Sequence, residues 1–232
     1  MGKIFSPELI IEYFPEVLAG VPETLFIFIT VVVISMVFAV IGAVIRIKSV
    51  PVLTQILSVL ASYTANVPSI IQLYIIFYIL PALLNDFFGI NANDWEPLLY
   101  VIIAFGIQRG VSLMEGLRAA ILAVPNGQYD AAYAMGLSRS QTFFRIIFPQ
   151  AFRIVLPVFE MISTTLIKRT AVAYMIGCTD VMSRAIFAGG RIGHNLEAYI
   201  AATIIFFAMD LVIIGIFHLL EKKYSFGIAD TV

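Results

Sequence analysis

Five ionisable side chains sit inside stretches that are otherwise almost wholly apolar: Arg109, Glu115, Glu160, Lys168 and Asp210. A charge placed in hydrocarbon costs at least ~2.5–3.5 kcal/mol, so each must be paired, reach the interface or line a watery path. Glu160, Thr164 and Lys168 recur at steps of four and share one helix face, with Ser163 beside them. A carboxylate and an ammonium on one face match a zwitterionic solute. Asn66 and Gln72 flank Pro68, where a kinked backbone frees carbonyls. Asn66, Gln72, Glu160, Ser163, Thr164 and Lys168 are therefore the candidate solute path. The alternative for each is bonding between helices or between subunits.

Nothing in the chain suggests covalent chemistry, and no catalytic residue is expected. Cys178 is the single cysteine, so there is no internal disulfide, and with only His194 and His218 beside it no metal site is expected. No G-x-x-x-x-G-K-[ST] loop exists to cradle phosphates, because Gly189-Gly190-Arg191 lacks the lysine and the spacing. A net charge of −1 leaves no basic excess for nucleic acid.

The elements that must position these groups follow from composition. The 232 residues are 61% hydrophobic and 12% charged, against about 25% charged in an ordinary soluble domain. The mean hydropathy is +0.99. Apolar runs near the ~20 residues that cross a bilayer lie at about 24–45, 52–80, 98–122, 154–176 and 198–220. The fold class expected is an all-α membrane protein of about five transmembrane helices, a single transmembrane domain over 1–232. The first span would do the targeting, since no basic segment runs directly into an apolar core at the start. Glu8, Glu12 and Glu16 recur every four residues, so 1–20 reads as an amphipathic helix lying on the outer surface.

Lys and Arg set the orientation. Arg46, Lys48, Arg118, Arg139, Arg145, Arg153, Lys222 and Lys223 fall on one side, and Lys3 on the other. The N-terminus is then outside and the C-terminus cytoplasmic. Lys168, Arg169, Arg184 and Arg191 sit on the wrong side for this rule. The segment 171–193 is therefore expected to re-enter the membrane or pack inside protein, where irregular backbone is tolerated. Asp180 and Arg184 are spaced for an ion pair on one helix face.

The cytoplasmic loop 125–153 reads as two short helices. The first runs over about 128–135 and exposes Ala131, Ala132 and Ala134. Gly136 stops it, since glycine accepts the left-handed conformation. Ser138 starts the next with Gln141 three residues on, a capping-box pattern, and Pro149 is expected to break that helix.

This stretch resembles the EAA loop of importer permeases in the ATP-binding-cassette superfamily: E-A-A, three residues, G, nine residues, then I-x-L-P. Asp130, Ala131, Ala132, Gly136, Ile146, Phe148 and Pro149 stand at that spacing, with Asp for Glu and Phe for Leu. The resemblance implies cytoplasmic coupling helices that dock on an ATPase, through Asp130, Ala131, Ala132, Gly136, Leu137, Ser138, Ile146 and Pro149. Further stretches are similar to the polar amino acid branch of that family. They include Gly20 to Leu25 for G-x-x-x-T-L, Val67-Pro68 with Gln72-Leu73 on the second span, Glu115 to Arg118 for E-I-F-R, and Met175 to Ala185 after the fourth span. Three departures fall near the centre. Ala65 replaces an arginine, Met161-Ile162 replaces Asn-Glu, and Lys168-Arg169-Thr170 stands for Lys-Asp-Thr.

The resemblance implies a non-catalytic subunit of an amino acid importer in the bacterial cytoplasmic membrane. It implies a partner ATPase that carries ATP and magnesium, a second permease subunit (the same chain or a sibling), an extracytoplasmic solute-binding protein and the lipid bilayer. No nucleic-acid partner is expected. The alternatives are a secondary transporter or channel subunit, which calls for inverted repeats not found here, or a permease of the same superfamily for another small solute.

Overall fold

The computed structural model describes residues 5–224; Lys3 and residues 225–232 lie outside the described residues. The described chain is helical, with no strand among the described residues. Short α1 (Pro7–Leu18) precedes α2 (Val21–Ile47), α3 (Leu53–Asn66), α4 (Ser69–Phe88) and α5 (Pro97–Leu122). The loop that follows holds α6 (Asn126–Ala134) and α7 (Arg139–Thr142). A π-helical turn over Phe143–Ile147 leads into α8 (Phe148–Arg169), which tightens to a 3-10 segment over Thr170–Ile176. The chain ends with α9 (Val181–Gly190) and α10 (Asn195–Tyr224).

Five helical segments are long and apolar enough to cross a bilayer: Val21–Ile47, Ser69–Phe88, Pro97–Leu122, Arg139–Ile176 and Asn195–Tyr224. The central one is α5, 67% buried along its most apolar window against 17–33% for the others. Its N-terminal half meets α2 and α4 in a core of Ile27, Val31, Leu73, Tyr100, Val101 and Phe105. Its C-terminal half meets α2 and α8 around Ala39, Ala43, Met114, Ile147 and Val155. The four peripheral spans keep most of their apolar side chains outward, the inverse of a water-soluble bundle.

The structure departs from the sequence reading at three places. The run 52–80 is two helices, not one. Val67 is extended (φ −100°, ψ 131°), as the residue before a proline must be, and Pro68 has no N–H to continue the ladder. The apolar helix beyond it starts at Ser69 and continues to Phe88. Pro149 does not break its helix either. The π-helical turn before it shifts the hydrogen-bond register, so Phe148 N–H reaches Phe143 O and Pro149 falls in the first turn of α8, where a missing N–H costs nothing. Third, Asp180 and Arg184 do not pair. Asp180 is the N-cap of α9, its Oδ1 accepting from Ser183 N–H at 2.8 Å while Ser183 Oγ accepts from Asp180 N–H at 2.7 Å. Arg184 turns instead to Glu23, at 3.8 Å.

The segment 171–193 is a 3-10 turn and the ten-residue α9, too short to span. One face of α9 packs within protein: Val181, Ala185 and Ala188 are buried against Tyr13 and Val17 of α1 and Ala198, Ala201 and Ala202 of α10, while Phe187 on its other side stays exposed. Gly20 makes one of these approaches possible. A β-carbon on it would lie 2.6 Å from the backbone N of Val181. Four residues on, Thr24 Oγ1 donates to Gly20 O at 3.0 Å and accepts from Val181 N–H at 3.2 Å. The Gly20 to Leu25 motif thus locks α2 onto the start of α9. The surface helix α1 joins the same cluster, with Ser6 N–H donating to Glu197 Oε1 at 2.8 Å and Glu16 bridged to Arg191.

Candidate functional site

The loop between α5 and α8 is built from two capped helices with an exposed face. Helix α6 ends in a Schellman motif: Gly136 N–H bonds Tyr133 O at 2.9 Å and Leu137 N–H bonds Ala132 O at 3.1 Å. Gly136 has φ +79°, a conformation that a side chain strains. Ser138 caps α7 with the full box: Ser138 Oγ accepts from Gln141 N–H at 3.3 Å, and Gln141 Oε1 from Ser138 N–H at 2.9 Å. Ala132 is buried, with Tyr129 packed in the same core as Ile146 and Ile147. Gln150 Nε2 ties the loop to α8 by donating to Gln128 Oε1 at 3.3 Å. What remains outward is Asp130, Ala131, Tyr133, Met135 and Gly136, with Ser138 and Phe144 nearby. Met135 is 82% exposed and Phe144 66%, which leaves apolar area open for a partner. Ile146 is half-buried and Pro149 exposed. Burial in this loop pushes the Tyr129 phenol above its usual range.

The intramembrane charges are mostly paired. Glu115 bridges Arg46 of α2 and also Arg118, the latter at 3.2 Å. Lys168 Nζ donates to Asp210 Oδ2 at 3.1 Å and so joins α8 to α10. Glu160 is half-buried and has no hydrogen bond or ion pair among the described residues.

The other candidate path residues are held by backbone. Gln72 Nε2 donates to Thr64 O at 3.2 Å and to Val67 O at 2.6 Å, satisfying carbonyls that the break at Pro68 leaves free. Asn66 Nδ2 donates to Ser62 O at 2.7 Å on the exposed side of α3. Ser163 Oγ donates to Phe159 O at 2.8 Å and Thr164 Oγ1 to Met161 O at 3.2 Å, each back onto its own helix. Glu160, Thr164 and Lys168 do share a face of α8. The bonds that join α8 to the α3–α4 break run through other residues.

Those residues are Ser69, Gln108, Arg109 and Arg169. One oxygen, Gln108 Oε1, accepts from Ser69 Oγ at 3.1 Å, Arg109 Nη2 at 2.7 Å and Arg169 Nη1 at 3.1 Å. Arg169 also bonds Ser69 Oγ. Sequence reasoning singled out Arg109 as an intramembrane charge but not the cluster. The available signal was Arg169 itself, a second cation directly after Lys168 where the resembled pattern has an aspartate.

At the end of the bundle where α5 begins, Cys178 is buried, and burial pushes its thiol up to about 11, as a small inert filler. It lines a cavity of about 440 Å³ together with Glu23, Glu96 and Pro97. Asp180 is held above the usual carboxylate range by the same desolvation, which outweighs its hydrogen bonds from Ser183.

This arrangement recurs in known proteins. Residues 35–226 match the family described as "Binding-protein-dependent transport system inner membrane component". The chain is 31% identical over 223 residues to the L-cystine transport system permease protein TcyL of Bacillus subtilis (strain 168), covering 96% of this chain and 93% of that protein. It is 30% identical over 215 residues to the histidine/lysine/arginine/ornithine transport system permease protein HisQ of Salmonella typhimurium LT2, covering 91% and 94%. Its fold matches the crystal structure of an amino acid ABC transporter with histidines at a TM-score of 0.82 and 24% identity, covering 94% of this chain and 99% of that one. It also matches an inward-facing MetNI methionine ABC transporter at 0.65 and 19%, covering 93% and 96%. With four apolar spans around a buried α5, a capped loop at the EAA spacing and a family match over most of its length, the chain belongs to the inner-membrane components of binding-protein-dependent transport systems.

Proposed function

We propose that the chain is the membrane-spanning permease of an ATP-driven amino acid importer in the bacterial cytoplasmic membrane, with its N-terminus outside and its C-terminus in the cytoplasm. Relatives named for cystine and for histidine, lysine, arginine and ornithine support an amino acid as solute. ATP and magnesium act on a separate cytoplasmic ATPase, and an external binding protein delivers the solute. Binding of ATP closes the ATPases and swings the path outward; hydrolysis resets it. A second permease subunit covers the side where α3 lies, for α3 buries no residue within the chain.

The observation that carries this reading is the coupling loop. Its inner face is fixed by Ala132, Ile147 and two complete caps, while Asp130, Ala131, Tyr133 and Met135 stay outward with nothing among the described residues to cover them. A rigid element with an uncovered mixed surface is what an ATPase groove requires. Gly136 has nothing within 4 Å of where a β-carbon would stand, so a larger side chain projects into the docking surface and not into the core. Gly136→Glu strains the α6 cap by about 1 kcal/mol, a local cost that still allows insertion and folding, and is expected to lose co-purification with the ATPase. Normal docking of that variant would show that this loop is not the coupling element.

A further inference from the structure

Resting on the permease reading, we propose that Arg109 and Arg169, together with Ser69 and Gln108, form a carboxylate-receiving cradle in the solute path. This cradle selects carboxylate-bearing solutes without net positive charge. Two guanidiniums share a single neutral amide oxygen, Gln108 Oε1. Neither has a carboxylate within ion-pair distance among the described residues, whereas Arg46, Arg118 and Lys168 each have one. Arg109 is 7% exposed, and its Nε is buried with no hydrogen-bond partner. An arginine is not neutralised by losing its proton as a lysine can be, so the missing charge has to come from outside the described residues. Both guanidiniums meet at one atom, which lets a single carboxylate bridge them with charge-assisted bonds.

Placement agrees with a path. Gln108 and Arg109 lie midway along the 26-residue α5, at the depth of the bilayer centre if α5 spans it. Arg169 and Ser69 are only half-buried, so the cluster opens to the surface beside the exposed Asn66 and Pro68 at the α3–α4 break. Lipid tails are a poor environment for such a face. Glu160, the unpaired carboxylate of α8, is nine residues from Arg169 and therefore on the opposite side of that helix, so it does not supply the missing charge. A lysine-like solute would meet two like charges in a poorly screening medium, where repulsion is large.

The test uses the full-length chain in phosphatidylcholine nanodiscs, dialysed against an equimolar mixture of L-glutamate, L-cystine, L-alanine, L-lysine and L-alaninamide. Retained solute is measured by mass spectrometry. At least one of glutamate, cystine or alanine is expected to be retained about tenfold over both lysine and alaninamide. Arg109→Gln and Arg169→Gln each lose that preference, while Arg169→Lys keeps part of it. Helix content and docking of the ATPase on the coupling loop, measured on the same samples, stay at wild-type level, so failure of the permease reading is told apart from failure of this one. The proposal is overturned if lysine or alaninamide is retained equally well, if nothing is retained, or if the glutamine variants bind like the wild type. A second set of nanodiscs contains phosphatidylglycerol. Retention abolished by that lipid, with the lipid itself held in an Arg169-dependent way, would assign the cluster to a headgroup and overturn the proposal.

Discussion

At the residue scale, the positions that mattered were those where a side chain is constrained by what it must not do. Gly20 must not carry a β-carbon, since the backbone of Asp180 and Val181 occupies that space. Gly20→Val is therefore expected to destabilise the chain by about 1–3 kcal/mol through forced separation of α2 and α9. A fluorescence melt in detergent reads this as a lowered midpoint, and an unchanged midpoint would mean the approach is looser than described. The motif was visible in the sequence, but its reason was not, because its partner lies about 160 residues away in the chain. The same holds for Asp180. Its spacing to Arg184 suggested an ion pair, yet the local bonds to Ser183 satisfy the helix N-terminus first and leave Arg184 for Glu23. Arg169 was legible as an oddity of the sequence and became meaningful only beside Arg109 and Gln108.

At the element scale, hydropathy found the apolar runs because lipid imposes one simple rule, that backbone groups be satisfied within the helix. Hydropathy alone runs through the break at Val67–Pro68; Pro68 marked a kink in the sequence, but not that the run divides into two helices or that Gln72 takes up the freed carbonyls. Pro149 misled in the opposite direction, since a π-helical turn absorbs it. The caps of α6 and α7 were readable in full, being local. The C-terminal ends of α2 and α5 are joined by Glu115 between Arg46 and Arg118. Side chains here keep 17–33% of their surface, so the network is partly screened. Glu115→Gln leaves two arginines facing each other and is expected to cost about 1–3 kcal/mol. Adding Arg46→Met should recover part of that loss in the same melt; strictly additive costs would mean that the two residues do not act together.

At the scale of the whole molecule, α5 is the buried axis and the other spans are its lipid-facing or partner-facing surround. The polar cluster sits midway along that axis, and the exposed coupling loop continues from its far end through α6 into α8. The loop is thus continuous with the two helices that carry Arg109 and Arg169. That continuity was not readable from sequence, which places the loop and the path in separate segments and says nothing of their mechanical connection. The central claim is that this chain moves solute only when a docked ATPase works. The most direct measurement is solute accumulation in proteoliposomes holding the chain with its ATPase and binding protein. The account predicts accumulation that requires ATP inside the reach of the ATPase and disappears in Gly136→Glu. Accumulation driven by an ion gradient without ATP would contradict it.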